Sequence, residues 1–244
     1  CRFEKIELSN NFFWVSSEGL YGIYNRYGST IIPCRYNQIE LTDRCFYVCR
    51  DRLKGVYNRY GSVIIPCQFS QIECKDNAYY VTKGKYQGIY NLYGSVIVPT
   101  QYTSIYKEGG KYLVENDSLK GIVNAYGSTI IPCRYNKIQQ EGNIYYVTAN
   151  GKKGIFNRYG STIIPCQYDE IISLGHRYIV KRDKKFGVYN QYGSTILPCQ
   201  FQKIECLNNG HYVTTRDKSQ QVYNAYGALL ENRTNMKVVF STED

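Results

Sequence analysis

Hydrophobic and polar residues along this chain recur with a period of 33 residues. The dipeptide Tyr-Gly marks the period, with five intervals of 33 residues and a last one of 34, at Tyr27, Tyr60, Tyr93, Tyr126, Tyr159, Tyr192 and Tyr226. A fixed period of this length is typical of proteins that stack copies of one small unit. We therefore predict a single repeat domain, 1–244, with seven units at residues 1–33, 34–66, 67–99, 100–132, 133–165, 166–198 and 199–244.

Within a unit, short apolar segments separated by turn residues predict strands. Residues 55–58 form one such segment, and Gly61 after it can adopt the positive φ that a tight hairpin demands. Residues 62–66 form the return strand, which is predicted to end at Pro66, because proline lacks a backbone donor and so suits a strand end, a bend or an edge. Residues 67–72 predict only an extended piece or a corner, and residues 78–82 predict another strand. The fold class that follows is all-β.

Two columns of the repeat hold one aliphatic residue in every copy and are predicted to be buried. The valine column consists of Val15, Val48, Val81, Val114, Val147, Val180 and Val213. The isoleucine column consists of Ile6, Ile39, Ile72, Ile105, Ile138, Ile171 and Ile204. Since turn positions differ between units, we expect binding specificity to reside there.

Two architectures can stack such units. A seven-bladed β-propeller buries all its edges, and residues 1–8 would then complete the last blade by strand exchange. An open β-solenoid requires terminal caps, and residues 236–240 would supply one. The propeller is the preferred prediction, with the solenoid as the alternative.

The repeat resembles a known family. The pattern G-x-Y-N-x-Y-G-x-x-I-I-P-x-x-Y-x-x-I, as in residues 154–171, is similar to the bacterial WG (or KWG) repeat over nearly the entire chain. The family's tryptophan is absent, and its place before the repeat glycine is taken by Tyr21, Lys54, Gln87, Lys120, Lys153 and Phe186. The resemblance implies a bacterial or phage-borne repeat protein without catalytic activity, often attached to other domains.

The net charge of +10 is concentrated in the turns that lead into the repeat glycine. A basic surface of this kind attracts polyanions such as nucleic acid or an acidic glycan. Tyr86 and Phe186 adjoin these turns and could stack on bases or sugars. The basic residues are Arg50, Arg52, Lys54, Lys83, Lys85, Lys152, Lys153, Lys181, Arg182, Lys184, Lys185, Arg216 and Lys218. The competing interpretation is that ordinary charged hairpin tips keep an apolar sheet protein in solution.

The sequence offers little for catalysis or metal binding. His211 falls, by counting, in a column of aromatic residues, and His176 has no nucleophile motif around it. Asp169 and Glu170 are adjacent, so on a strand they would face opposite sides. Six cysteines share one column after proline and are interpreted as small buried side chains, with disulfides as an alternative, at Cys1, Cys34, Cys67, Cys133, Cys166 and Cys199. We predict no metal, no cofactor and no enzymatic activity.

These observations favour a binding scaffold. We expect the partner to be a protein or a neighbouring domain of the same polypeptide, bound by variable loops such as residues 40–44 and 173–177 or by the tyrosine-rich rim of the strands. A polyanion bound by the basic turns is the alternative, and a glycan-active enzyme is the least favoured. No segment is apolar enough to predict membrane insertion, and the periodic, unpaired cysteines favour an intracellular location.

Overall fold

A computed structural model describes residues 3–217 and 219–233. Within these residues all regular secondary structure is β-strand, and the strands form seven four-stranded antiparallel sheets. Each sheet uses four consecutive strands in sequence order. The all-β prediction is confirmed. Cys1, Lys218 and the tail at 236–240 lie outside the described residues.

The sheets are numbered 1 to 7 along the chain. Their first strands are Lys5–Ser9 (β1), Gln38–Leu41 (β5), Gln71–Lys75 (β9), Ser104–Glu108 (β13), Lys137–Glu141 (β17), Glu170–Leu174 (β21) and Lys203–Cys206 (β25). The second strands are Phe12–Ser17 (β2), Cys45–Arg50 (β6), Ala78–Lys83 (β10), Lys111–Asn116 (β14), Ile144–Ala149 (β18), Arg177–Arg182 (β22) and Tyr212–Arg216 (β26). The third strands are Leu20–Tyr24 (β3), Leu53–Asn58 (β7), Tyr86–Asn91 (β11), Leu119–Asn124 (β15), Lys152–Asn157 (β19), Lys185–Asn190 (β23) and Ser219–Tyr223 (β27). The fourth strands are Thr30–Tyr36 (β4), Val63–Phe69 (β8), Val96–Tyr102 (β12), Thr129–Tyr135 (β16), Thr162–Tyr168 (β20), Thr195–Phe201 (β24) and Leu229–Arg233 (β28).

The chain divides into two compact units near β15. The first comprises Cys1–Ser118 and Ile122–Thr129, and the second comprises Leu119–Gly121 and Ile130–Asp244. Sheets 1 to 3 therefore lie in the first unit and sheets 5 to 7 in the second. A four-stranded antiparallel meander is the blade that propellers repeat, and the choice between a ring and an open stack stays a prediction.

Proline does not end the fourth strand. Pro66 lies inside β8, and the register of β8 against β7 shifts between the pairs Lys54↔Phe69 and Val56↔Ile65. The fourth strand thus carries extra residues in a bulge, at the edge of the sheet, where the missing N–H of proline breaks no ladder bond. The strand end predicted at Pro66 is wrong, and residues 67–72 instead finish β8 and begin β9.

The bulge explains two further columns of the repeat. A Cβ on Gly55 would lie 2.8 Å from both the Cα and the backbone nitrogen of Cys67, so the bulge requires glycine opposite it. The thiol of Cys67 donates to the Leu53 carbonyl at 3.1 Å, and partial burial raises its pKa. Equivalent thiol bonds are made by Cys34, Cys133, Cys166 and Cys199. These cysteines are half-buried and hydrogen-bonded, rather than buried as predicted.

The core lies where the third and fourth strands of one sheet pack on the second strand of the next. Ile65 and Phe69 of sheet 2, for example, contact Tyr79 and Val81 of sheet 3, and all four are at most 4% exposed. The valine column is buried as predicted from Val15 to Val180. The isoleucine column is only half-buried, and Ile6 is 59% exposed, because the first strand has a sheet neighbour on one side alone. Its predicted burial is therefore wrong.

The last sheet is displaced by one residue from the counted register. Val180 pairs with Ile171 in sheet 6, and Thr214 takes the same place opposite Ile204 in sheet 7. The extra residue therefore lies in the loop at 207–211, before β26 begins. Thr214 rather than Val213 is the buried residue, and Tyr212 rather than His211 occupies the aromatic column.

The strand exchange predicted for residues 1–8 is also wrong. The strand β1 pairs with β2 of its own sheet, from Lys5↔Ser16 to Ser9↔Phe12. The fourth place in sheet 7 is filled by β28, which pairs with β27. Each sheet is thus complete within its own stretch of chain.

Buried tyrosine pairs predict a loss of stability at alkaline pH. The Tyr36 and Tyr57 hydroxyls lie 2.7 Å apart, as do those of Tyr168 and Tyr189. Burial, followed by the hydrogen bond between hydroxyls, raises the pKa of Tyr36 and of Tyr168 from 10.0 to about 12. Folding therefore favours the neutral phenol over the phenolate. The stabilisation that results is on the order of 2 kcal/mol per tyrosine. It is present below pH 10 and is lost as the pH rises to about 12.

We expect the melting temperature to fall across this pH range, and to fall less in the variant Tyr36→Phe/Tyr168→Phe. Phenylalanine fits the position, since Phe69 and Phe201 occupy the same column. Thermal unfolding followed by circular dichroism at several pH values is the measurement. An identical pH dependence in the two proteins would contradict the assignment.

Candidate functional site

The turn between the third and fourth strands has the same geometry in all seven sheets. In sheet 2 the Asn58 side-chain oxygen accepts the backbone N–H groups of Tyr60 and Ser62, both at 2.9 Å. Gly61 adopts φ 92°, and a Cβ there would lie 2.7 Å from the Ile31 carbonyl oxygen of sheet 1. Asparagine and glycine are therefore required by the turn and by its packing on the preceding sheet.

The tyrosine of this turn is not required in that way. To the hydrogen bonds of the turn with asparagine it contributes only its backbone N–H, which every residue except proline carries. Its side chain is 71–93% exposed in every copy, at Tyr27, Tyr60, Tyr93, Tyr126, Tyr159, Tyr192 and Tyr226. Seven exposed aromatic rings at one structural position, here called the turn tyrosines, are the most prominent surface feature of the described residues.

The turn tyrosines lie at the same end of each sheet as the tips between first and second strands, because the strands are antiparallel. The two variable loops predicted to bind a partner, 40–44 and 173–177, include two of these tips. The tips differ in length and sequence, whereas the tyrosine beside them does not change. This end of the sheets combines a constant element with a variable one.

A pocket of about 480 Å³ lies between two neighbouring turns, those of Tyr60 and Tyr93. Its aliphatic lining, here called the floor, consists of Val63, Ile64 and Leu92, and its basic residues are Arg44 and Arg59. At its base the buried Tyr79 hydroxyl donates to the Cys45 thiol at 3.8 Å. No carboxylate is among the residues that line this pocket.

The predicted basic residues lie at the opposite end of the sheets, in and beside the hairpins between second and third strands. Several already have acidic partners in this structure. Asp117 raises the pKa of Lys85 by charge attraction and lies 3.5 Å from it. The Lys152 ammonium, at 2.5 Å, lowers the pKa of Asp169. Ion pairs are also formed by Arg50, Lys181, Arg182 and Arg216.

The remaining basic residues have no ion-pair partner in the part of the chain that the structure describes. They are Arg52, Lys54, Lys83, Lys153, Lys184 and Lys185, all exposed. The two aromatic residues predicted to stack on bases are only half-exposed. Lys85 lies 5.3 Å from the Tyr86 ring centre and Lys181 lies 5.4 Å from that of Phe186, so both rings already have a cationic neighbour.

A second, polar cleft of about 540 Å³ is lined by the first strands of sheets 3 and 4, by the second and third strands of sheet 3, and by one residue of the third strand of sheet 2. Lys54, Gln87, Ile72 and Tyr106 are among its lining residues. Lys54 and Gln87 are two of the residues that replace the tryptophan of the WG repeat. The cleft therefore has amide and ammonium groups at positions where the family pattern has an indole ring.

The histidines and the acidic pair do not converge. His176 contacts the Gln191 side chain at 2.7 Å, and His211 contacts Asn209 within its own loop. Asp169 pairs with Lys152, whereas Glu170 pairs with Lys181. Among the described residues no group of histidine, cysteine or acidic side chains is arranged to hold a metal ion. Nor does any helix there have the length and hydrophobicity that crossing a membrane takes.

The sequence predicts a tyrosine-rich rim of the strands as a candidate binding surface but does not single out the turn tyrosines, because the recurring Tyr-Gly is interpreted as a mark of the period. The available signal was chemical. Asparagine and glycine at their spacing account for the turn, so the tyrosine between them had no structural role to explain its recurrence.

One comparison with known proteins confirms the family resemblance over one repeat. Residues 186–216 match the family model of the WG containing repeat. The match begins at Phe186 in β23 and ends at Arg216 in β26, so it runs from the third strand of sheet 6 to the second strand of sheet 7. None of the curated proteins matches the chain.

Solved structures offer only distant likenesses. Hsv2 of Kluyveromyces lactis is 11% identical with a TM-score of 0.26, over 92% of this chain and 94% of that one. The AfRom2 CNH domain is 9% identical with a TM-score of 0.26, over 91% and 93% of the two chains. A TM-score below 0.5 does not establish a shared fold, so these likenesses support no conclusion about this chain.

Proposed function

We propose that this chain is a non-enzymatic repeat scaffold that binds a protein partner through the turn tyrosines and the variable tips beside them. The observation that carries the proposal is the exposure of all seven turn tyrosines at a position where the turn itself needs only a backbone N–H. Tyrosine is among the residues that are enriched at protein–protein interfaces relative to the rest of the surface.

The chemistry of the turns supports a protein partner. Each turn presents tyrosine beside asparagine and glycine, six of them with serine as well, and three turns add arginine at Arg26, Arg59 and Arg158. Tyrosine, serine, glycine, asparagine and arginine are the residues enriched in antibody binding loops, where rigid rings supply contact area at low entropic cost. The Arg158 guanidinium already stacks on the Tyr159 ring at 4.5 Å, which shows the contact these side chains make.

The test is affinity capture with the immobilised full chain and a lysate of the cells that produce it. We expect a protein that is retained at high salt by the wild type and lost from a variant with all seven turn tyrosines replaced by serine. The matched control is Arg52→Gln/Lys83→Gln/Lys184→Gln at the opposite end of the sheets, which should capture the same protein. Equal capture by the wild type and the serine variant would overturn the proposal.

Polyanion binding is the second candidate, and the exposed cations without ion-pair partners favour it. Arg52, Lys83 and Lys184 recur in the hairpins between second and third strands of three sheets. If this surface binds nucleic acid or heparin, affinity should fall steeply as salt rises, and the triple glutamine variant should lose it while the serine variant retains it. Absence of binding at low salt would exclude this candidate.

A further inference from the structure

We infer that the pocket between Tyr60 and Tyr93 binds an extended acidic segment of a protein partner, with one apolar side chain of that segment inside the pocket. This inference rests on the proposed function, because it assigns the chemistry of the partner at one place among the turn tyrosines. The pocket belongs to sheets 2 and 3 of the first compact unit.

The floor of the pocket suits an apolar side chain. Val63 is 53% exposed, and Ile64 and Leu92 are half-buried against the core formed by Ile65 and its neighbours. The Tyr79 hydroxyl at the base already donates to Cys45, and the Thr42 hydroxyl donates to the Cys45 carbonyl at 3.0 Å. An apolar group that covers this floor therefore leaves neither hydroxyl without a hydrogen bond.

The charge at the pocket suits carboxylates. Arg44 and Arg59 are exposed and line it from two different turns. The Arg59 guanidinium lies 5.8 Å from the Phe12 ring centre, a contact that leaves its N–H groups available to donate hydrogen bonds to a carboxylate. Asp43 adjoins Arg44 on the loop but does not line the pocket. A segment with an acidic residue on each side of an apolar one matches this arrangement.

The same combination does not recur between the other sheets. At the corresponding turn positions, Arg59, Val63 and Leu92 are replaced by Arg158, Thr162 and Gln191 between sheets 5 and 6. Two of the three aliphatic residues are thus lost there, with Ile163 in place of Ile64, while the arginine and the two tyrosines stay. A nucleic acid is less well matched to the pocket. Proteins bind single-stranded nucleic acid along an extended groove of cations, whereas this pocket has two arginines beside an aliphatic floor.

The test uses fluorescein-labelled synthetic peptides with the intact chain. One peptide has a central leucine flanked by glutamates, a second has lysines in place of the glutamates, and a third has serine in place of the leucine. We expect fluorescence anisotropy to show binding of the first peptide alone, with affinity reduced about 10-fold or more by Arg44→Glu/Arg59→Glu and by Leu92→Asp. The matched control Arg158→Glu at the equivalent turn of sheet 5 should leave the affinity unchanged.

Three other outcomes would overturn the inference, and the measurements distinguish them from one another. If no acidic peptide binds while tyrosine-dependent capture of a protein persists, the pocket assignment fails and the proposed function stands. If capture is also independent of the tyrosines, both fail. If heparin or single-stranded DNA binds with the same dependence on Arg44 and Arg59, and the acidic peptide does not, the ligand is a polyanion rather than a protein segment.

Discussion

The substitution Gly154→Val should destabilise the protein by about 3 kcal/mol or more. A Cβ at Gly154 would lie 2.7 Å from the Cα and 2.8 Å from the backbone nitrogen of Cys166. These are backbone atoms of the bulge in β20, so no side-chain rotation can relieve the contact, and the bulge has to move away from β19. Urea unfolding followed by circular dichroism is the measurement.

Sheet 7 supplies the matched control for this prediction. Gln221 occupies the glycine position there, and β28 pairs with β27 without the extra residues, from Gln220↔Arg233 to Val222↔Glu231. The substitution Gln221→Val should therefore change the stability by less than about 1 kcal/mol. Equal losses from the two valine substitutions would show that the bulge is not the reason for glycine.

The substitution Ile65→Ala should destabilise the protein by about 3 kcal/mol, because it removes buried methyl groups and leaves a cavity. Ile65 is fully buried, and Val56, Phe69, Tyr79 and Val81 belong to the same core cluster. The measurement is again urea unfolding. The loss of stability should exceed that of a surface truncation. The cluster joins sheet 2 to sheet 3, so side chains of both sheets would have to move to fill the cavity.

Its control lies two residues away on the same strand. Val63 is 53% exposed, so Val63→Ala should cost less than about 0.5 kcal/mol. A loss from Ile65→Ala no larger than that of Val63→Ala would contradict the assignment of the core.

The sequence predicts the class and the period of this fold, and its errors have identifiable physical causes. The valine column is buried because the second strand lies inside its sheet and faces the preceding one. The isoleucine column recurs equally well but lies on an edge strand. Recurrence alone cannot distinguish a column on an inner strand from one on an edge strand. Likewise, proline indicates an edge strand of a sheet, but only the register shifts show that the strand continues beyond the proline.

The last repeat shows a further limit of counting. The Tyr-Gly interval of 34 residues reveals one extra residue but does not locate it. The structure places it in the loop at 207–211, which moves Thr214 into the core and His211 out of the aromatic column. A threonine is compatible with the valine position because the two side chains have the same branched shape, and the Thr214 hydroxyl bonds the Gln221 carbonyl at 3.4 Å.

The candidate sites were predictable to different degrees. The basic hairpins follow from the sequence, because each charge lies next to a turn signal. Their pairing does not, since partners such as Asp117 for Lys85 come from a neighbouring sheet. The pocket between Tyr60 and Tyr93 also depends on two sheets, and no pattern within one repeat predicts it.

The most direct test of the central claim is the free energy of unfolding of the variant in which serine replaces all seven turn tyrosines. We expect a change of less than about 2 kcal/mol in total, because the fold uses only the backbone of these residues. Asn58→Ala alone should cost about 1 kcal/mol, because it removes two hydrogen bonds within the turn. A serine variant that unfolds, or that loses much more than this, would show that the tyrosines serve the fold rather than a partner.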